Sequence, residues 1–144
     1  MIIKASIKDL DSVVALAAML WEHHEAGELA REFAALLADP EAAVFLYEID
    51  SKAIGFAQAQ LRRDYVEGTD TSPVGYLEGI YVMKACRDQG IARALLQACE
   101  DWARGRGCAE FASDCELHNA GSLAWHLRAG FSEANRIICF VKKL

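Results

Sequence analysis

Three features of the 144-residue chain predict a single mixed α/β domain. First, the apolar pattern changes period in its middle. Residues 76–82 alternate as a strand does, and Ile91, Leu95, Ala98, Cys99 and Trp102 then recur at helical spacing, one stripe of a long amphipathic helix. Second, strand-like and helix-like segments follow the order β-α-α-β-β-β-α-β-α-β, which suits a mixed central sheet flanked by helices. Third, 53% of the residues are hydrophobic, and no repeat, low-complexity stretch or linker divides the chain, so residues 1–144 are read as one domain with its own core.

The elements follow in order. Met1 to Ala5 reads as a short strand. Ser6-Ile7-Lys8-Asp9 has the form of a capping box, and Leu10, Val13, Val14, Ala17, Leu20 and Trp21 give the helix after it an apolar face. A second helix is expected from about Glu25 to Ala38, with Leu29, Phe33, Leu36 and Leu37 inward and Asp39-Pro40 as its stop. Ala43–Ile49 and Ala53–Arg62 read as strands of a hairpin turning at Asp50-Ser51-Lys52. A polar loop, Asp64 to Pro73, leads into the central strand, where Tyr76, Glu78, Ile80 and Val82 are expected on one face and Leu77 and Tyr81 on the other. Gly105-Arg106-Gly107 stops the long helix, and Cys108–Asp114 reads as the next strand. Asn119 caps a helix running to Ala129 with Gly130 at its C-terminal end, and Ile137–Val141 is the expected last strand.

The junction Arg87-Asp88-Gln89-Gly90-Ile91-Ala92 carries the clearest chemistry. A helix begins there without bulky side chains, so its unpaired N–H groups and positive dipole end are open to an anion, and Arg87 adds a charge suited to phosphate. Neither the P-loop pattern nor the dinucleotide fingerprint is present. Taken alone, the same residues also suit an ordinary strand-to-helix turn. Gly90→Val is expected to block an anion at little cost to folding.

Glu78 is a carboxylate in an otherwise apolar strand, which implies either an ion pair or an opening onto a cleft where it acts as general base. Asp114 reads as a turn or helix-cap aspartate, or as a substrate contact. Trp21 finishes a helix stripe and His24 follows it. The adjacent His23 and His24 diverge and have no third ligand, so no metal is expected.

The formal charge of −6 argues against a nucleic-acid partner and favours a cationic one. Glu22, Glu25, Asp64, Glu67, Asp70, Glu78 and Asp114 come from four segments, and the folded sheet is expected to bring several of them around one cleft. Five scattered cysteines (86, 99, 108, 115 and 139) without a Cys-x-x-Cys pair read as reduced thiols of a cytoplasmic protein, with Cys86 beside Arg87 a bystander. No signal sequence is expected ahead of the first strand. The longest apolar run, Val13 to Trp21, falls short of the roughly 20 residues of a membrane span, so no membrane partner is expected.

Arg87-x-x-Gly90-x-Ala92, placed after Ile80-Tyr81-Val82, resembles the pyrophosphate loop of the GNAT acyltransferases, and Asn119 with Ser122, Ala124, Gly130 and Phe131 resembles that family's second block. Three stretches, 64–82, 111–114 and 20–24, are similar to its aminoglycoside 6'-N-acetyltransferases. The resemblance implies a GNAT fold and acetyl transfer from acetyl-CoA to the 6'-amine of an aminoglycoside, a polycationic amine, without a metal. It places Ile80, Tyr81, Val82, Arg87, Asp88, Gln89, Gly90, Ile91, Ala92, Arg93 and Asn119 at acetyl-CoA, and Trp21, His24, Tyr65, Glu78 and Asp114 at the amine.

Of these, Glu78 and Asp114 are the implied catalytic carboxylates, and homodimers are usual in the group. His126, the third candidate catalytic residue, stands where many members carry a tyrosine proposed to protonate the CoA thiolate; either its imidazole donates that proton or the thiolate leaves without a dedicated acid. Asn135 stands where an acidic substrate contact is expected. Two alternatives remain open: a GNAT enzyme for another amine, such as a polyamine or a protein N-terminus, and a CoA-binding module without turnover.

Overall fold

A computed structural model describes all residues, 1–144, as one five-stranded sheet with strand order β1-β2-β3-β4-β5. The elements are β1 (Ile2–Lys4), α1 (Leu10–Leu20), α2 (Ala26–Ala38), β2 (Ala42–Ile49), β3 (Lys52–Arg62), β4 (Val74–Val82), α3 (Ile91–Gly105), β5 (Phe111–Ser113) and α4 (Ala120–Arg128). The first four strands pair antiparallel, and β5 joins β4 in parallel, so the sheet is mixed as expected.

Local chemistry accounts for the boundaries. The Asp9 carboxylate accepts from the Ser6 N–H at 2.8 Å and the Ser6 hydroxyl at 3.1 Å, fixing the turn that enters α1. Glu25 caps α2 by accepting from Gly27 N–H at 3.0 Å. Asp50 and Ser51, at φ 49° and 63°, form the two-residue left-handed turn that suits a twisted hairpin. At the end of α4, Gly130 N–H reaches Leu127 O at 3.3 Å and Phe131 N–H reaches His126 O at 3.0 Å, the paired bonds of a Schellman motif around a glycine at φ 100°.

The sheet separates two cores. On one face, α1 and α2 bury Val13, Leu16, Ala17, Leu29 and Phe33 against Val44, Leu46 and Phe56. On the other, Ile91, Leu95, Leu96 and Cys99 of α3 meet Ala43, Phe45, Ala57, Ala59, Leu77 and Val82, with Trp125, Ala129 and Phe131 packed alongside.

The structure corrects the sequence-based expectation in three places. Gln58 of β3 pairs with Gly79 and Ala59 with Leu77, so Glu78 is an extra residue, a β-bulge. Strict alternation fails there: Leu77, Ile80 and Val82 all pack on the α3 side, while Tyr81 joins the α1–α2 core and Glu78 opens on that same side. Next, β5 covers only Phe111–Ser113: a turn at residues 106–107 ends α3, residues 108–110 are irregular, and the first bond to β4 is from Gly75 N–H to Glu110 O at 3.1 Å. Finally, Ile137–Val141 forms no strand within this chain. Ile137, Ile138, Phe140 and Val141 are 70–95% exposed, and no neighbouring strand of the same chain lies beside them.

Gly75 sits at the meeting point of β4, β5 and α3. A Cβ there would lie 2.6 Å from the Phe111 ring and 2.7 Å from the Ala103 Cβ. Gly75→Val is therefore expected to overpack the junction and cost about 1–3 kcal/mol. Thermal unfolding checks this as a fall of several degrees in Tm; an unchanged Tm would show that β5 moves aside freely.

Candidate active site

The pairing of β4 with β5 stops at Leu77 and Ser113, yet β4 continues to Val82. The strands fork there, leaving the β5-facing edge of residues 78–82 without a strand neighbour. The Ser113 hydroxyl lies in the crotch of the fork, 3.3 Å from Leu77 O and 2.8 Å from His126 Nε2. His126 Nδ1 is 2.7 Å from Ser122 O. A carbonyl oxygen only accepts, so in the neutral ring Nδ1 carries the proton and Nε2 accepts from Ser113. The sequence-predicted His126 therefore meets the fork through Ser113, which lies in the 111–114 stretch but to which the sequence assigned no role.

The two predicted carboxylates are brought onto one network, though not as free acids. Glu78 is gripped by Arg62 at the end of β3: Nε and Nη2 donate to Oε1 at 3.1 and 2.9 Å, and Nη2 to Oε2 at 3.0 Å. The ion-pair reading of Glu78 is thus realised, and the cleft-facing reading is realised with it. The same guanidinium stacks 3.4 Å above the Tyr76 ring, whose hydroxyl donates to Asp114 Oδ2. Burial, reinforced by the Asp114 hydrogen bond, pushes the Tyr76 hydroxyl well above its usual range, so Tyr76 remains a donor at neutral pH. Asp114 is exposed at the end of β5 and caps no helix.

On the α1–α2 side of Glu78 lies a cleft of about 180 Å³ lined by Trp21, His24, Leu29, Glu32, Phe33, Leu36, Gln58 and Glu78. Trp21 reaches it by packing across Gly79, where a Cβ would come within 2.7 Å of the indole, and by contacts with Phe33 and Phe56 at 6.1 and 6.0 Å between ring centres. Trp21, His24 and Glu78 are therefore together, as the sequence implied. Tyr65 is not with them: it is 76% exposed on the loop before β4.

The expected ring of acids is also not formed around this cleft. Glu25 is engaged at the start of α2, and Glu67 accepts from Asn135 Nδ2 at 2.9 Å, while Glu32, an acid on α2 that no motif marks, lines the wall. Asn135 thereby ties the C-terminal segment to the loop before β4.

Past the fork, α3 begins at Gly90 with no side chain capping it. Gly90 has φ 78°, and nothing lies within 4 Å of where its Cβ would be. The open space agrees with the anion reading. The backbone corrects the expectation for Gly90→Val, because a β-branched residue in the left-handed region is strained by roughly 1–2 kcal/mol whatever the space. Arg87 turns its Nε onto Val82 O at 2.9 Å, with its guanidinium 5.4 Å from the Tyr81 ring centre. Arg93 is exposed on the first turn of α3 and has no ionic partner, and Asp88 and Gln89 are exposed beside it. Ile91 is buried in the core and Ala92 half-buried, so these two offer backbone rather than side chains. Asn119 caps α4 through Oδ1, which accepts from Ser122 N–H at 3.1 Å, and its amide nitrogen is free.

All five cysteines are free; Cys99 is buried, which pushes its thiol up to about 12. No group of three His, Cys, Asp or Glu side chains converges to hold a metal. No helix is long and apolar enough to cross a membrane.

Comparison with known proteins agrees with this architecture. The model of the acetyltransferase (GNAT) family matches residues 10–131. An aminoglycoside N(6')-acetyltransferase type 1 of Acinetobacter haemolyticus is 43% identical, covering 98% of this chain and 94% of its own. One of Serratia marcescens is 36% identical, covering 100% and 99%. Among solved structures, AAC(6')-Iy in complex with a bisubstrate analogue, CoA-S-monomethyl-acetylneamine, superposes with a TM-score of 0.96 at 35% identity, over 100% of this chain and 98% of that one. Apo AAC(6')-IG of A. haemolyticus gives 0.96 at 40% identity, over 100% and 99%. With a forked sheet of this form and relatives matched over nearly their whole length, the chain belongs to the GNAT acetyltransferase family.

Proposed function

We propose that the protein transfers the acetyl group of acetyl-CoA directly to the 6'-amine of aminoglycosides. The observation that carries this is the place of Glu78. It lies between a β4 edge open for a cosubstrate and a cleft with an aromatic wall and two carboxylates, Glu32 and Glu78. The names of relatives 36–43% identical over nearly the whole chain support the choice of acceptor. A related structure, that of AAC(6')-Iy in complex with CoA, supports the choice of donor.

Acetyl-CoA would bring a thioester-activated acetyl group. Residues of this chain fit it at two places: the free backbone edge of Ile80, Tyr81 and Val82, and the uncapped start of α3 at Gly90, Ile91 and Ala92 with Arg87 and Arg93 beside it. Asp88 and Gln89 shape the turn, and Asn119 offers its free amide N–H. The chain then has three tasks. It holds the amine against the acetyl carbon, which lowers the barrier by fixing geometry. Glu78, oriented by Arg62, takes one ammonium proton directly or through one water and passes it to solvent; the second N–H proton leaves by the same route as the amide forms. Backbone N–H groups of the open β4 edge polarise the thioester carbonyl.

As the amine's C–N bond forms and the C–S bond breaks, CoA leaves as thiolate. His126, acting through Ser113 at the crotch of the fork, returns a proton to that sulfur. Asp114, held by the Tyr76 hydroxyl, and Trp21 and His24 contact the amine substrate; Tyr65 joins only if its loop closes over it. The free thiols support a reducing, cytoplasmic setting.

The direct test is thiol release from acetyl-CoA with kanamycin, tobramycin, spermidine and a peptide in parallel. Turnover of the aminoglycosides supports the proposal; turnover of only spermidine or the peptide replaces the acceptor. Glu78→Gln keeps the hydrogen bonds from Arg62 to one oxygen but removes the base, so kcat is expected to fall by roughly 10²–10⁴ and the acidic limb of the pH–rate profile to vanish. A limb that survives intact places the base elsewhere.

Asp114→Asn is expected to raise KM for tobramycin more than it lowers kcat, since its contact exists before and during transfer. KM of the parent should climb with added salt, because ions screen an exposed carboxylate, and the climb should flatten in the variant. A lower Tm with unchanged KM would make Asp114 only a partner of Tyr76.

The apolar residues Ile137, Ile138, Phe140 and Val141, left bare by their own fold, support a homodimer in which this segment is covered by the second copy. Light scattering should give a dimer for the full chain and a monomer after deletion of residues 137–144. A monomeric full chain refutes it.

A further inference from the structure

Gln58 is the one polar side chain in the buried set, only 7% exposed in the middle of β3. Its neighbours Ala57 and Ala59 face the α3 core, so Gln58 faces the α1–α2 side with Phe56. It projects into the cleft shared by Trp21, Glu32, Phe33 and Glu78. Its amide makes no hydrogen bond to any group of the protein, although no polar side-chain atom in the molecule is both fully sealed and unsatisfied. The amide therefore opens into the cleft and nowhere else.

A long amide at such a position is costly unless something meets it, because its walls, Leu29, Phe33 and Leu36, are apolar and a hydrocarbon side chain would fill the same space. Its place in the ladder is also specific. The junction between Gln58 and Ala59 is where β4 carries its extra residue, Glu78, and Gly79 opposite Gln58 has no side chain to cover it. The proposed base and this unmatched amide thus open from adjacent strands into one cleft.

The chemistries of the two differ. A carboxylate suits an ammonium group. A primary amide both donates and accepts, and so suits a hydroxyl, which does the same. We infer that Gln58 is a specificity-determining residue that hydrogen-bonds a ring hydroxyl of the amino sugar whose amine is presented to Glu78. This rests on the aminoglycoside reading above and extends it to a recognition of hydroxyl-bearing amino sugars over hydroxyl-free polyamines, which Glu32 and Glu78 alone would attract equally.

The test is Gln58→Met, which keeps the length and apolar stem and removes the amide. Titration calorimetry with kanamycin on the CoA-bound protein should show Kd raised about tenfold, the loss of roughly one good hydrogen bond. Turnover at saturating kanamycin should stay within about threefold, because Glu78 is untouched. Tm should hold, since the amide makes no hydrogen bond within the protein and its replacement breaks none; a purely structural glutamine would lower Tm when replaced. An unchanged Kd in a variant whose parent acetylates kanamycin overturns this inference and leaves the activity standing. A lower Tm with unchanged Kd overturns it as well. A parent that neither binds nor acetylates any amino sugar overturns both.

Discussion

The extra residue at Glu78 governs how the sheet presents its chemistry. Strand side chains alternate, and a shift of one residue sends every later side chain to the opposite face. With the bulge, Leu77 precedes it and Ile80 and Val82 follow it in the same α3 core, although they are three and five positions on. Residues 78 and 79 both fall on the α1–α2 side. One is a carboxylate that opens on a cleft, and the other is a glycine over which Trp21 lies. Without the bulge, either Glu78 or the pair Ile80 and Val82 would be on the wrong face. The apolar core of α3 thus holds the carboxylate where it is.

The charges of the site are also ordered by the sheet rather than by loops. The register sets Arg62 opposite Val74, and its long side chain runs back along β4 over the Tyr76 ring to grip Glu78. Arg62 stacks on Tyr76, and Tyr76 holds Asp114 across the parallel pairing of β4 with β5. Three strands are therefore cross-linked by one polar chain on one face. Such a chain loses little freedom when a ligand arrives, because its side chains are already fixed. It also means that no member can be altered alone: removing Arg62 would free Glu78 and uncover the Tyr76 ring together.

Much of this is legible in the sequence wherever a short-range pattern decides the outcome. The helix start near Glu25, the Asn119 cap and the Gly90 junction all depend on a few neighbouring residues and lie where the sequence places them, and the turn expected at Asp50-Ser51-Lys52 tightens to Asp50-Ser51. The misses depend on distant partners. The bulge at Glu78 leaves no local signature, since residues 78–82 alternate in sequence and only pairing with β3 reveals the extra residue. Arg62 and Tyr76 carry no signal of their own because their roles exist only across strands. Ile137–Val141 reads as a strand by composition, yet a strand needs a partner, and this chain does not provide one. Gln58 does carry a signal, a lone amide between alanines in an apolar strand, that periodicity alone does not weigh.

The fork itself sets out the two proton tasks of the proposed transfer on opposite sides of the sheet. Glu78 opens on the α1–α2 face, whereas His126 belongs to α4, packed with Trp125 and Phe131 against the α3 core, and reaches the crotch through Ser113. The ammonium nitrogen must lose two protons in becoming an amide, and the sulfur must gain one. If a single group stood between them it would have to do both in sequence. Here the acceptor and the relay are separate, and the end of β4–β5 pairing at Leu77 and Ser113 is what puts space between them. The histidine's second nitrogen is committed to Ser122 O, so the ring is fixed in one tautomer when neutral and becomes a donor toward Ser113 only when it takes up a further proton.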